Sequence, residues 1–246
     1  MLLAVDTSTP QIGLALYDGA QVLAESLWTS KARHTVELAP ALADMLAHTG
    51  LKINEIAALG VAIGPGSFTS LRVGLSFVKG LAFARSLPTF GINTLDIVAA
   101  SQTPDQLPLL CTLPAGRGRL AVGSYILHTN KSEFSPEAKT RTTGYGLKWQ
   151  IDGAAVIMTA GELATSVIED TFVCGDLNAA ERKLLVKNEH VKLISPALSM
   201  RRPAILAELA YTRWQTDAAD DISNLAPLYL HLTDPIPDPT AAVITT

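Results

Sequence analysis

Apolar residues open the chain as an unbroken run, Leu2–Val5, that stops at Asp6. Beyond it Ile12, Leu14 and Leu16 alternate with Gly13, Ala15 and Tyr17, and Asp18-Gly19 leads into Val22–Trp28. Continuous and alternating patterns of this length read as strands, and Asp-Gly between them as a two-residue hairpin turn. Three adjacent strands therefore precede the first helix. That order departs from a dinucleotide-binding βαβ unit, in which a crossover helix follows the first strand and a glycine fingerprint fills the turn.

The period then changes. Val36, Leu38, Leu42, Met45 and Leu46 predict a helix from about Thr35 to His48, closed by Gly50. Pro40 has no N–H for the carbonyl of Val36, so a distorted first turn or a kink is expected. Ala57–Ile63 predicts a buried strand, Gly64-Pro65-Gly66-Ser67 a tight turn, and the next apolar stretch a long helix to about Arg85. Thr89–Asn93 is a further strand, and a short helix starts near Leu95.

The second half repeats this order. Strands near Leu107–Leu113 and Leu120–Leu127, with a third between Lys139 and Ile151, precede a helix at Gly161–Glu169 and a strand at Thr171–Gly175. A helix at Asn178–Val186, a strand at Val191–Ser195 and a helix at Pro203–Trp214 complete it. Two β-β-β-α-β-α-β-α halves make an α/β, two-lobed fold with mixed sheets. This is the duplicated actin-like ATPase (ribonuclease H-like) plan of actin and the sugar kinases, in which nucleotide usually lies between the lobes. Polar residues at Ser101–Gln106 set the boundary, giving lobes at 1–102 and 103–232. Pro235, Pro237 and Pro239 among acids and threonines mark 233–246 as a flexible tail.

Composition narrows the setting. At 246 residues the chain can bury one large core or two smaller ones, and 48% hydrophobic against 17% charged residues argues against disorder. A mean hydropathy of +0.26 leaves apolar surface to be covered. No apolar run approaches the ~20 residues of a membrane-spanning helix, so a protein partner, not a membrane, is its expected destination. The first strand begins without a basic leader, and a cytoplasmic location is expected. A net charge of −4 and a pI near 5.7 do not suit a chain that grips nucleic acid by itself, so any contact with RNA would be shared or indirect. Cys111 and Cys174 sit in apolar strand patterns and read as reduced core residues, with no second ligand at zinc-like spacing.

Three stretches carry candidate chemistry. In Gly64–Gly74 the glycines allow a sharp turn after a strand while Ser67 or Thr69 caps the next helix; its free N–H groups suit an anion, and an ordinary strand-to-helix turn explains the residues equally well. The missing Gly-Lys-Ser/Thr ending disfavours a P-loop ATPase. Asp6-Thr7-Ser8 ends the first strand where actin-fold enzymes orient metal and phosphate, although Asp and Ser also stabilise plain turns. In the long helix, Phe68, Leu71, Leu75, Val78 and Ala82 form one apolar stripe, and Val73, Phe77, Leu81 and Ala84 a second, with Gly74, Gly80 and Ser70 allowing close approach. One sheet covers one stripe, so the second is assigned to another helix or subunit, with the short helix after Leu95 as the competing cover.

Other residues remove options. His34 has Leu38, not histidine, one helical turn on, and His48 lies roughly 21 Å further along at ~1.5 Å per residue, so no metal is expected. Pro114 occupies the second-half turn where kinases of this fold keep an acid, which leaves no candidate catalytic residue. Arg117 and Arg119 in the adjoining glycine turn read as a solvated loop or an anion contact.

Asp6-Thr7-Ser8-Thr9, Arg33-His34-Thr35, Gly64–Gly74, Ile92-Asn93-Thr94-Leu95 and Pro227-Leu228-Tyr229-Leu230, taken in order, resemble the TsaB (YeaZ) family. The Gly-Pro-Gly-Ser-Phe-Thr-x-Leu-Arg stretch is the specific part, and the match is densest over residues 1–100. Ser70, where the family usually has glycine, and Pro114, where it usually begins Asp-Ala-Arg, depart from the pattern. The resemblance implies a pseudo-enzyme in tRNA threonylcarbamoyladenosine synthesis. Its implied partners are the metal-bearing subunit TsaD, the ATPase TsaE within the assembly, and a second copy of itself in isolation. It implies no required cofactor and leaves weak ATP or ADP binding open, with Asp6, Thr7, Ser8, Gly64, Gly66, Ser67 and Thr69 as the nucleotide candidates. Leu38, Leu42, Val73, Phe77 and Leu81 are the expected partner face. The rival reading is a small-molecule kinase or ATPase using the interlobe cleft; a glycoprotease-type peptidase ranks last, for want of zinc ligands or a serine triad.

Overall fold

The computed structural model describes residues 1–31, 33–103, 105–128 and 148–230. The first half runs β1 (Leu2–Asp6), β2 (Gln11–Tyr17), β3 (Val22–Thr29), α1 (His34–Thr49), β4 (Ala58–Gly64), α2 (Phe68–Arg85), β5 (Thr89–Asn93) and α3 (Thr94–Ala100). The second runs β6 (Leu109–Gly116), β7 (Arg119–His128), β8 (Lys148–Ile151), β9 (Val156–Thr159), α4 (Ala160–Ser166), β10 (Thr171–Gly175), α5 (Ala179–Leu185), β11 (Val191–Leu193) and α6 (Pro203–Gln215).

The strands form two sheets. One has the order β3-β2-β1-β4-β5; the other has β11-β10-β6-β7-β8, with β9 also paired to β7. In each sheet the antiparallel meander meets parallel strands at its first strand, β1 against β4 and β6 against β10. The expected two-lobed α/β duplication is therefore present. β8 and β9 pair with successive parts of β7 and together supply the third strand of the second meander. Residues 139–147 of the expected third strand, and the expected tail at 233–246, lie outside the described residues.

Burial explains the unbroken apolar run of β1. Leu3 and Val5 point into a core shared with Leu38, Leu42 and Met45 of α1 and Leu75 and Val78 of α2. Leu2 and Ala4 point the other way, into a core with Leu206, Ala207 and Ala210 of α6. Because side chains alternate across a strand, a sheet covered on both faces needs apolar residues at every position. Gly60 of β4 keeps α6 close, since a Cβ there would stand 2.7 Å from that of Ala210.

That packing corrects the lobe boundary. α6, expected in the second lobe, lies on the first sheet against β1, β2, β4 and β5. In exchange, Leu95, Val98 and Ala99 of α3 enter the second core with Leu109, Cys111 and Tyr125. The chain following α6 stays with the first lobe: the Asp220 carboxylate accepts the Gly91 N–H at 2.7 Å, and the Leu228 N–H donates to the Ile63 carbonyl at 2.7 Å. Linear sequence hides such an exchange, because the polar cluster at 101–106 marks only where the chain crosses.

Local differences are smaller. α1 runs unbroken from His34 to Thr49 through Pro40, and ends at Gly50 in the left-handed region. The β2–β3 turn spans Asp18–Gln21, not two residues, because the Asp18 carboxylate accepts the N–H groups of both Ala20 and Gln21 at 2.7 Å. The β6–β7 hairpin extends past Pro114 to a tight turn at Arg117 and Gly118, both with positive φ. Cys111 and Cys174 are paired in register, free and buried with sulfurs 3.7 Å apart, and burial pushes the Cys111 thiol up. Among the described residues, no helix is long and apolar enough to cross a membrane.

Leu206→Ala tests the exchanged helix. Losing a fully buried side chain on α6 should cost about 2–5 kcal/mol in denaturant unfolding. Hydrogen exchange should quicken first in β1 and β4, not in β6 and β10.

Candidate functional site

β1 delivers Asp6 to the junction of the lobes, where only 2% of the residue is exposed. One carboxylate oxygen accepts the Ser8 N–H at 2.8 Å and the Ser8 hydroxyl; the other accepts Arg201 Nε at 2.9 Å. The Thr7 hydroxyl donates to the Ser70 carbonyl at 2.7 Å, and the Ser8 carbonyl accepts the Ser67 N–H at 2.7 Å. Gly66 lies against that same carbonyl, leaving no room for a side chain. Gly64, at φ 109°, donates its N–H to the Thr94 hydroxyl at 3.0 Å. Ser67 caps α2 by accepting the Ser70 N–H.

Six of the seven nucleotide candidates thus meet at one place, while Thr69 is exposed and turned toward α1. Their polar groups are bonded within the chain, Asp6 to Ser8 and Arg201, Thr7 to Ser70, Ser8 to Ser67 and Gly64 to Thr94. The Ser67 N–H, a donor at the helix start that would suit an anion, is occupied by Ser8. Gly74 serves the same junction, because a side chain there would collide with the Thr7 hydroxyl. This corrects the reading of Gly74 and Ser70 as spacers for another helix or subunit: both are buried, facing the β1–β2 turn of their own lobe.

Arg201 was not singled out from sequence. It has no exposed surface, and its guanidinium also donates to Asp176 Oδ2 at 2.6 Å and to the Thr9 hydroxyl at 2.7 Å. Burial alone would lower its pKa, but the Asp6 and Asp176 carboxylates outweigh that and raise it. The only sequence signal is its place two residues before Pro203, which starts α6 after the N-cap Arg202. Nothing in the spacing connects it to Asp6 at the far end of the chain.

The second feature is a groove of about 550 Å³ between α1 and α2, lined by His34, Thr35, Phe68, Thr69, Val73 and Phe77 among others. Val73, Phe77 and Leu81 are half-buried, so the second stripe of α2 is neither closed in the core nor fully open. α3 does not cover it, since α3 packs against α6 and strands of both sheets. Leu38 and Leu42 are corrected here: at 2% and 4% exposure they face the first sheet as core residues, and only Leu38 reaches the groove floor. α1 turns its one continuous apolar stripe to the sheet, which removes Leu42 from any partner face.

One end of the groove carries a polar-aromatic stack. The Arg72 guanidinium lies 3.7 Å from the centre of the Phe68 ring, Tyr229 stacks on Phe68 at 5.0 Å between centroids, and Arg72 Nε donates to the Tyr229 hydroxyl at 3.2 Å. Phe68 is nonetheless 51% exposed. His34 is buried at the start of α1 with Nε2 3.1 Å from the Thr9 carbonyl, and Arg117 is exposed at a hairpin tip. Among the described residues no group of three His, Cys, Asp or Glu is placed to hold a metal ion.

Comparison with known proteins agrees with this architecture. Residues 21–235 match the family model described as TsaD: tRNA N6-adenosine threonylcarbamoyltransferase. A structure described as YeaZ from Pseudomonas aeruginosa superposes with a TM-score of 0.69 over 92% of this chain and 99% of that one, at 21% identity, which supports the fold. The tRNA threonylcarbamoyladenosine biosynthesis protein TsaB of Haemophilus influenzae is 40% identical over 99 residues, and that of Bacillus subtilis 31% over 124. The chain spans only 41% and 54% of those two relatives. The protein of the same name from Escherichia coli is 36% identical over 215 residues, covering 78% of this chain and 92% of that protein. With so much of both lengths aligned at that identity, the chain belongs to the TsaB (YeaZ) family.

Proposed function

We propose that this chain is a non-catalytic subunit in the synthesis of threonylcarbamoyladenosine on tRNA, and that it lends the α1–α2 face to a TsaD-like partner. The observation that carries the reading is the half-buried stripe Val73, Phe77 and Leu81, bordered by the exposed Phe68 and Arg72, on the helix that already covers the first sheet with its other stripe. Apolar and aromatic groups with an arginine at their edge are the composition of protein interfaces. In isolation the same face serves a second copy of the chain, and a TsaE-like ATPase joins the assembly through the partner. The tRNA is held by the partner, in keeping with this chain's acidic balance.

The kinase or ATPase reading has less support. A Mg-nucleotide in the cleft would need the Asp6 carboxylate and the Ser67 N–H, and both are bonded within the chain. No catalytic residue is proposed, and no cofactor is required; nucleotide binding by the isolated chain is weak.

Two measurements test these statements. Mixed with the TsaD-like protein of the same cell, the wild-type chain should co-elute in size exclusion. Phe68→Glu and Phe77→Asp, checked by thermal melting, should weaken association by about tenfold to a hundredfold, ~1.4–2.8 kcal/mol. Undiminished binding by both variants removes this face from the contact. In a phosphate-release assay with Mg-ATP the isolated chain should not exceed buffer, and robust turnover would restore the kinase or ATPase reading.

A further inference from the structure

The lobes are joined covalently twice, by the chain after α3 and by the return from β11 to α6. The two crossings are tied together: Gln102 on the first donates from its amide to the Leu198 carbonyl on the second at 2.9 Å, and the Trp149 indole donates to the Gln102 carbonyl at 3.3 Å. Arg201 lies on the second crossing. From there its guanidinium reaches Asp6 and Thr9 in the first lobe and Asp176, just past β10, in the second.

We infer that Arg201 is an interlobe latch, a built-in cation that fixes the opening of the cleft with no ligand. A guanidinium is planar and always charged, so bonds to two carboxylates from opposite lobes fix their distance and their orientation together. Any other cation drawn to Asp6 and Asp176 finds that place taken. Sliding the lobes apart would strand a buried charge, which makes the observed arrangement the low-energy one. The bond to Thr9 carries the latch toward α1, because the carbonyl of the same residue meets His34 Nε2. The inference concerns the isolated chain and stands whether or not a partner occupies the α1–α2 groove.

Asp176→Asn is the decisive variant, since Asp176 is the most exposed member, with 22% of its side chain accessible, and the substitution keeps its shape. Arg201→Met removes the whole latch at similar volume. Both are compared with wild type by hydrogen exchange and small-angle X-ray scattering on the full chain. The expected result is exchange about tenfold or more faster at Ser8–Thr9 and Asp176 in each folded variant, with β3 and α5 unchanged, and a larger radius of gyration for Arg201→Met. If Arg201→Met does not fold, Asp176→Asn decides alone. Wild-type exchange in Asp176→Asn, or equal loosening of β3 and α5, would overturn the latch.

Discussion

A guanidinium without a single exposed atom must be neutralised where it lies, because removing it from water costs several kcal/mol even after relaxation. Here the neutralising carboxylates belong to different lobes, Asp6 at the end of β1 and Asp176 beyond β10. The surrounding backbone is arranged around that charge. Ser8 folds back to share Asp6, its carbonyl then takes the N–H of Ser67, and α2 starts where that bond puts it. Gly66 and Gly74 are small for the same reason: each faces the turn that Asp6 organises.

From that start the geometry of α2 follows. With its first turn pinned at the junction, the stripe Leu71, Leu75, Val78 and Ala82 is laid on the sheet. Val73 and Phe77 of the second stripe then line the groove facing α1, while Leu81 packs at the edge of the first core. The stripe laid on the sheet and the proposed docking face are two sides of one helix. In the proposed function, recognition would then depend on the integrity of the lobe junction through one rigid helix.

The sequence carried much of the fold. Period-two and period-3.6 patterns located most strands and helices to within a few residues, since a sheet covered on both faces leaves a strong apolar signal at β1 and β4. The turn segments were legible as well, because glycine and N-cap serine have few other uses at a strand-to-helix join. What sequence could not supply was pairing at long range. The exchange of α3 and α6 and the meeting of Arg201 with Asp6 depend on contacts between distant parts of the chain, and a local pattern records only that a residue is apolar or charged. Leu38 and Leu42 show the same limit within one helix: their stripe was clear, but whether it faced a sheet or a partner was decided by the neighbouring strands.

The exchanged helix bears on how the protein is made. The last strand of the first sheet ends at Asn93, yet the helix that covers one of its faces is complete only at Gln215. At about 5–20 residues per second, a ribosome needs roughly 6–24 s to bridge that interval. Throughout it Leu2, Ala4 and Ala15 lack the α6 side chains that cover them in the finished fold, so the amino-terminal half completes this core only after the rest of the chain is made.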